Sequence, residues 1–212
     1  MTYALAADLH GNVRNLEAIL AAADSHGAES VVIAGDYLEC RIGKRAAATA
    51  RVRALTDVVD DQPDLWRLLA GCLLVRGNQE ERIAALISGL PPEPLLAPLL
   101  DAPPARLVSS LKVVHGHDFD WSKCDGWWVP TMDEAVPEDR LVAFGHSHQG
   151  LVTELPASGH PPYAPVPVRI GVPTHLTGPA RFLINLAPAQ DRPVWVLYDD
   201  AAEEVVFHRA MP

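Results

Sequence analysis

Apolar and polar positions follow one another along the first half of the chain in a repeating order. Thr2 to Ala7 is a short apolar run that stops at Asp8, and from Val13 to Ala23 the positions Val13, Leu16, Ile19, Leu20 and Ala23 recur with helical spacing. This predicts strand, loop, helix. The order returns at Ser30 to Ala34, which stops at Gly35-Asp36, and at Cys72 to Val75, which stops at Gly77-Asn78 before a helical stretch from Glu80 to Leu90. Such alternation predicts a largely parallel, buried core sheet. Further strands are predicted at Leu111 to Val114, ending at His115-Gly116-His117, and at Leu141 to Phe144, ending at Gly145-His146-Ser147-His148.

Beyond Gly150 the texture changes. Leu151 to Leu155, Arg181 to Asn185, Val194 to Tyr198 and Glu204 to His208 read as strands with no helical period between them, which predicts a second, mainly antiparallel sheet. Prolines gather at Pro91 to Pro104 and Pro156 to Pro173, and both stretches read as loops. The Ala-rich run Ala46 to Ala50 reads as helix by propensity. Neither half carries a separate core and there is no internal repeat, so residues 1–212 are read as a single domain.

Composition narrows the class. With 49% hydrophobic residues in 212, the chain can fill an ordinary core. Seventeen Lys plus Arg against twenty-seven Asp plus Glu leave a formal charge of -10, which disfavours gripping long nucleic acid or an anionic membrane. Cys40, Cys72 and Cys124 have no C-x-x-C spacing, so neither a disulfide framework nor a cysteine zinc site is expected, and a reducing cytoplasm is the simplest compartment. Met1 to Asp8 lacks a basic leader, and no apolar run reaches the roughly eighteen residues of a spanning helix. The expectation is a cytoplasmic protein that is not exported.

Every polar cluster follows an apolar strand. Asp8-Leu9-His10-Gly11-Asn12, Gly35-Asp36, Gly77-Asn78-Gln79-Glu80, His115-Gly116-His117 and Gly145-His146-Ser147-His148 are thus placed to meet where strand ends converge. Asp8, Asp36 and Asn78 offer oxygen; His10, His115, His146 and His148 offer imidazole nitrogen. That set is too large for one ion and, with one carboxylate shared, suits two first-row transition ions about 3.5–4 Å apart. In an extended segment residues i and i+2 share a side, which would aim the paired donors of Asp8-x-His10 and His146-x-His148 together.

The ordered set D-x-H, G-D, G-N-x-E, H-G-H and G-H-x-H, over residues 8 to 148, resembles the calcineurin-like metallophosphoesterases, particularly their small single-domain bacterial and archaeal phosphodiesterase branch. A weaker echo lies in Leu183-Ile184-Asn185 and Gln190 to Pro193, with Leu186-Ala187-Pro188-Ala189 departing from the branch's usual glycine-serine pair. The resemblance implies a mixed α/β fold, a four-layer αββα sandwich of two mixed β-sheets flanked by helices. It implies that Asp8, His10 and His148 hold one divalent ion and Asn78, His115 and His146 the other, with Asp36 between them. The ions implied are Mn2+, Fe2+ or Fe3+, Ni2+, Co2+ or Zn2+. They would draw in a small anionic phosphate ester and present a bridging hydroxide for in-line attack on phosphorus.

Most of the wider family carries histidine where this chain has Gln79, and a glutamine amide donates a hydrogen bond but releases no proton near neutral pH. A phosphodiester or activated aryl phosphate is therefore expected over an alkyl monoester. A phosphomonoesterase or protein phosphatase, a dinucleoside polyphosphate hydrolase, and a metal- or nucleotide-binding scaffold that has lost turnover stay open, as does a homo-oligomer. Asn78, His117 and Gln79 are the candidate catalytic residues; Asn12, Asn78 and His117 are the candidate substrate contacts. His117 either touches substrate or relays a proton, or else hydrogen-bonds to orient a ligand. Glu80 is read as favouring the positive end of its helix. Trp121, Trp127 and Trp128 either stack a nucleobase or pack a cap or subunit contact. Arg41, Lys44 and Arg45 either reach a phosphate or form a solvated turn, and His26, His160, His175 and His208 are read as surface or satisfied core residues.

Overall fold

The computed structural model describes residues 1–155, 164–166 and 168–211. In chain order the elements are β1 (Thr2–Ala6), α1 (Val13–Ser25), β2 (Ser30–Ala34), α2 (Lys44–Ala47), α3 (Pro63–Ala70), β3 (Leu73–Val75), α4 (Asn78–Ile87), α5 (Ala97–Leu100), β4 (Ala105–Val108), β5 (Leu111–Val114), β6 (Trp121–Cys124), β7 (Trp127–Pro130), β8 (Leu141–Phe144), β9 (Leu151–Leu155), β10 (Ala164–Val166), β11 (Pro173–His175), β12 (Arg181–Asn185), β13 (Val194–Asp199) and β14 (Glu204–Arg209). His160 and part of the second proline-rich stretch lie outside the described residues.

The strands form two six-stranded sheets, in the orders β11-β14-β13-β1-β2-β3 and β10-β9-β12-β8-β5-β4, and a separate hairpin, β6-β7. Both sheets are mixed. In the first, β1, β2 and β3 run parallel while β13 pairs antiparallel with β1. In the second, β5, β8 and β12 run parallel, with β9 and β4 antiparallel outside them. The division at Gly150 into a parallel and an antiparallel sheet is therefore corrected. β5 and β8 leave the first sheet for the second, and β13 and β14 return to the first. Runs of residues buried on both faces carry no mark of which sheet receives them.

Strand alternation sorts the core into layers. On β1 and just past it, Tyr3, Leu5 and Ala7 face the second sheet, meeting Leu111, Val113, Leu141, Ala143 and Ile184, whereas Ala4 and Ala6 face the helices. α1 offers them Leu16, Ile19 and Ala23, α3 offers Leu65, Trp66 and Leu69, and α4 offers Ile83. Each buried leucine or isoleucine there contributes about 1.5–3 kcal/mol. On the far side of the second sheet, where the resemblance implied helices, Phe119, Trp121, Met132 and Val136 cover Val142, Phe144 and Leu183.

α3 went unread although Pro63 at its first turn and the spacing of Leu65, Trp66 and Leu69 mark it. Leu99 and Leu100 of α5 bury themselves in the core, so the stretch from Pro91 is a loop with one helical turn in it. α2 takes in only Ala46 and Ala47 of the Ala-rich run and buries no residue, and propensity without a buried face does not extend a helix. Among the described residues no helix is long and apolar enough to cross a membrane.

Candidate metal centre

The chain leaves β1, β2, β3, β5 and β8 at one end of the two sheets, and the backbone pairing continues past the strand ends. His10 N–H donates to the Asp36 carbonyl at 2.9 Å and Gly11 N–H to that of Tyr37 at 3.1 Å, so the first two loops leave side by side. Gly145 N–H donates to the His115 carbonyl at 3.2 Å and does the same for the second sheet. Other bonds at this end tie the loops of one sheet to those of the other. His115 Nδ1–H donates to the Ala34 carbonyl at 2.8 Å, and His146 N–H donates to Asp8 Oδ2 at 3.1 Å. A side chain on Gly145 would meet Ala7 Cβ at 2.6 Å and Asp8 Oδ2 at 2.7 Å, and one on Gly77 would meet Asp36 Oδ1 at 2.4 Å. Glycine at both places is a requirement of space.

The loops are not extended. Asp8, His10, Asp36, His146 and His148 have φ of 55°, 47°, 50°, 66° and 57°, the left-handed region that residues with a Cβ avoid at a cost of about 1 kcal/mol or more each. The i, i+2 argument for Asp8-x-His10 and His146-x-His148 is thereby corrected: left-handed turns, held by neighbouring loops, aim these side chains.

Two clusters result. Ligand atoms of Asp8, His10 and His148 lie within 4.8 Å of one another, and so do those of Asp36, His115 and His146. Asn78 Oδ1 lies 3.2 Å from His115 Nε2, and Asp36 Oδ1 lies 3.3 Å from the same nitrogen. The structure thus brings all seven expected donors together.

The donor chemistry fits cations. Because His10 Nδ1 is 2.5 Å from Glu39 Oε2 and His115 donates Nδ1–H to a carbonyl, each ring turns its Nε2 inward as the atom that would ligate an ion. His10 Nε2 then faces His148 Nε2 at 3.4 Å beside Asp8, which is fully buried. Nitrogens crowded on a buried carboxylate are the arrangement a divalent ion relieves.

The electrostatics of the protein without metal agree. Burial would raise Asp36, but the hydrogen bond and charge of His115, with Gln79 N–H at 2.9 Å, hold its carboxyl below the usual range. His115 is itself disfavoured as a cation by burial, yet Asp36 outweighs this and pushes it up to about 9. Burial and the neighbouring His115 charge push His146 down to about 4. Burial raises Asp8, against the pull of the surrounding histidines. At neutral pH a metal ion entering the second cluster therefore displaces a proton from His115 and none from His146. Between pH 7 and about 9 the apparent affinity for Mn2+ is expected to rise by up to about tenfold per pH unit and to level off above. Titration calorimetry of metal-stripped protein in buffers of differing ionisation enthalpy checks this; an affinity flat across that range contradicts it.

Two further residues support the donors. Glu39, which no sequence motif singles out, orients His10 through Nδ1. Glu80, read as a helix-end charge, is fully buried, and its carboxylate accepts the N–H groups of Asp36, Leu38 and Gly77, each at 2.9 Å. Burial and the Asp36 charge push Glu80 up to about 7, against the pull of these N–H donors. Its position three residues after Gly77, where a glutamate reaches back to a helix N-cap, was the available signal.

The other candidates divide. Asn12, expected at the substrate, spends its amide on the backbone: Oδ1 accepts from Asn15 N–H at 3.1 Å, capping α1, and Nδ2 donates to the Gln190 carbonyl at 2.8 Å. Gln79 Oε1 accepts from Cys40 N–H at 3.2 Å and from the Arg82 guanidinium at 2.7 Å. His117 lines a cavity of about 500 Å3 with Lys44, Asn78, Glu81, Arg82 and His146. Its Nε2 lies 3.2 Å from Glu81 Oε2, and its Nδ1 is buried without a partner among the described residues. Trp121 packs on Phe144 and His146, with ring centroids 5.7 and 6.1 Å away, and Trp128, with Trp121, His146 and Ser147, edges a recess of about 300 Å3. Trp127 is on the surface at 39% exposure. Arg41 and Arg45 are exposed, Arg41 pairing with Asp60, and only Lys44 of that turn borders the cavity. His26 and His208 pack around Trp195, and His175 pairs with Glu204 at 3.3 Å. Asn185, in the weaker echo, donates to Ser147 Oγ at 2.6 Å.

Residues 1–158 match the family profile described as the calcineurin-like phosphoesterase superfamily domain. Among solved structures, a metallophosphoesterase from Sphaerobacter thermophilus is 18% identical, with 100% of this chain and 88% of that one covered at a TM-score of 0.67. Yfce, a phosphoesterase from E. coli, is 20% identical, with 94% and 89% covered at a TM-score of 0.50. At these identities the likeness is one of fold. Among curated proteins none is significantly similar in sequence.

Proposed function

The chain belongs to the calcineurin-like phosphoesterase superfamily, and we propose that it is a metal-dependent phosphodiesterase acting on a small nucleotide or a similar anionic diester in the cytoplasm. The observation that carries this reading is the pair of Asp/His clusters, each built on a buried aspartate, with Asn78 beside the second and His146 and Asn78 lining a cavity of about 500 Å3. Two divalent first-row ions, when bound, supply positive charge against the phosphate oxygens and make water acidic enough to furnish a nucleophile near neutral pH.

The protein's own groups do the rest. Asp8, His10 and His148 would hold one ion, Asn78, His115 and His146 the other, with Asp36 shared. Asn78 is a neutral donor, so its amide N–H remains available to orient a phosphate oxygen. His117 has one nitrogen engaged by Glu81 and the other unspent, which suits it to hold a proton or a substrate oxygen at the cavity wall. Gln79 supplies no proton, and the loss of general acid catalysis costs about 10²–10⁴-fold where the leaving group is strongly basic. A diester with a good leaving group is the substrate this arrangement tolerates. The three free cysteines suit a reducing compartment.

With Mn2+ restored to stripped protein, bis(4-nitrophenyl) phosphate is expected to turn over faster than 4-nitrophenyl phosphate. Parallel steady-state assays check this. Faster monoester turnover overturns the diesterase reading, and hydrolysis of neither ester after two ions per chain have bound overturns the enzyme.

A further inference from the structure

His146 borders two recesses of different chemistry. The cavity of about 500 Å3 also has the cationic side chains of Lys44 and Arg82 on its wall, and its one carboxylate, Glu81, is paired with Arg76 and His117. The recess of about 300 Å3 is walled by Trp121, Trp128, Ser147 and the imidazole itself. A diester has two arms. The arm that departs gathers negative charge on its oxygen and suits the wall with cations, whereas the arm that stays on phosphorus gathers none, which leaves the aromatic recess to it.

The recess is built from a hairpin, β6-β7, that belongs to neither six-stranded sheet. In its register Trp121 pairs with Pro130 and Lys123 with Trp128, so strand alternation puts both indoles of the recess on one face and Trp127 on the other. Trp121 is spent on packing against Phe144 and His146. Trp128 is not: 38% of it is exposed. It is nonetheless held, with Lys123 Nζ 4.9 Å from its ring centroid and its backbone N–H donating at 2.9 Å to Gln149 Oε1, the residue after His148. An indole fixed in place yet open to solvent, beside an expected metal ligand, is set to receive a planar group at low cost in side-chain entropy.

We propose that Trp128 is a specificity-determining residue: it stacks on a planar aromatic ring carried by the ester arm that remains on phosphorus after hydrolysis. This rests on the phosphodiesterase reading and names the arm that the protein selects. Water's oxygen joins phosphorus, the bond from phosphorus to the other arm's oxygen breaks, and that arm leaves with the electron pair while protons pass to solvent. The product that keeps the ring is a monoester. A recess of about 300 Å3 lies at the lower end of ligand sites and takes one ring system, not two.

The test uses three esters that share a 4-nitrophenolate leaving group, the thymidine 5′-, phenyl and ethyl 4-nitrophenyl phosphates, on Mn2+-loaded protein. Trp128→Ala is expected to lower kcat/KM for the ring-bearing esters about 10- to 100-fold more than for the ethyl ester, chiefly through KM, the size of one stacked ring. Trp128→Phe is expected to recover most of this, and Trp127→Ala to leave the ratios as in the wild type. A selective loss on the thymidine ester alone makes the ring a nucleobase, and one shared by the phenyl ester makes it any aryl group; either supports the proposal. Equal losses on all three esters, or no loss, overturn it. If the wild type hydrolyses none of the three, the phosphodiesterase reading fails, and calorimetry with thymidine 5′-monophosphate against ethyl phosphate decides Trp128 separately. Tighter binding of the ring-bearing monoester that Trp128→Ala removes supports the recess; equal affinities, or a difference that survives the substitution, overturn it.

Discussion

Asp36→Asn is expected to lower phosphodiester hydrolysis about 10²–10³-fold and to empty at least one metal position, while the protein stays folded. Asparagine is nearly isosteric and is among the few residues with a Cβ that tolerate the left-handed backbone, so the φ of 50° at this position survives the exchange. The amide oxygen can still accept the Gln79 N–H that now reaches Asp36 Oδ1 at 2.9 Å. What disappears is the charge. Asp36 is one of two carboxylates among the seven donors, and it is the group that raises His115 to about 9. Without it the metal-free His115 loses its reason to hold a proton, and the second cluster loses its only anion. Elemental analysis, together with kcat/KM for bis(4-nitrophenyl) phosphate, checks this. Full metal content and a rate within a few-fold of wild type would mean that Asp36 is not the shared ligand.

Glu80→Ala is expected to be the most destabilising single change near the site, by about 3–9 kcal/mol. Its carboxylate accepts three buried backbone N–H groups, from Asp36, Leu38 and Gly77, and alanine would leave them without a partner at about 1–3 kcal/mol each. Set against the roughly 5–15 kcal/mol that a domain has in total, this lowers Tm by about 10–20 °C. The damage also falls on function, because these N–H groups fix the loop that carries Asp36 against the start of α4, which carries Asn78. Glu80→Gln retains one acceptor oxygen and is expected to fall between the two. Thermal unfolding of the three metal-stripped proteins separates the outcomes: a shift for Glu80→Ala no larger than that of an exposed alanine substitution defeats the claim.

Much of this was legible from the chain alone. Three apolar runs that become strands end immediately before a polar cluster: Ala34 before Gly35-Asp36, Val114 before His115 and Phe144 before Gly145-His146. That is local information, because a strand leaving the core must stop being apolar where it meets solvent or an ion. The donors, their order and their type were therefore readable, and with them the family.

The supporting residues were not readable in the same way. Glu39 and Arg82 are ordinary charged residues at ordinary positions, and nothing near them in sequence says that one lies 2.5 Å from His10 and the other lines a cavity. Asn12 lies in a conspicuous motif yet serves as a helix cap, and Glu80 became more than a helix-end charge only once the loop of Asp36 came to lie on it.

The chain's order of residues by itself determined which side chains can ligate, where each strand ends and that Gln79 releases no proton, since these follow from chemical type and from spacing along one segment. Tertiary structure alone decided which sheet each strand joins, the left-handed turns that aim five of the seven donors, and the neighbours of Glu80 and Arg82. The reason is physical: a strand buried on both faces pairs as well with one partner as another by its own composition, and a strained turn persists only when contacts from distant segments hold it.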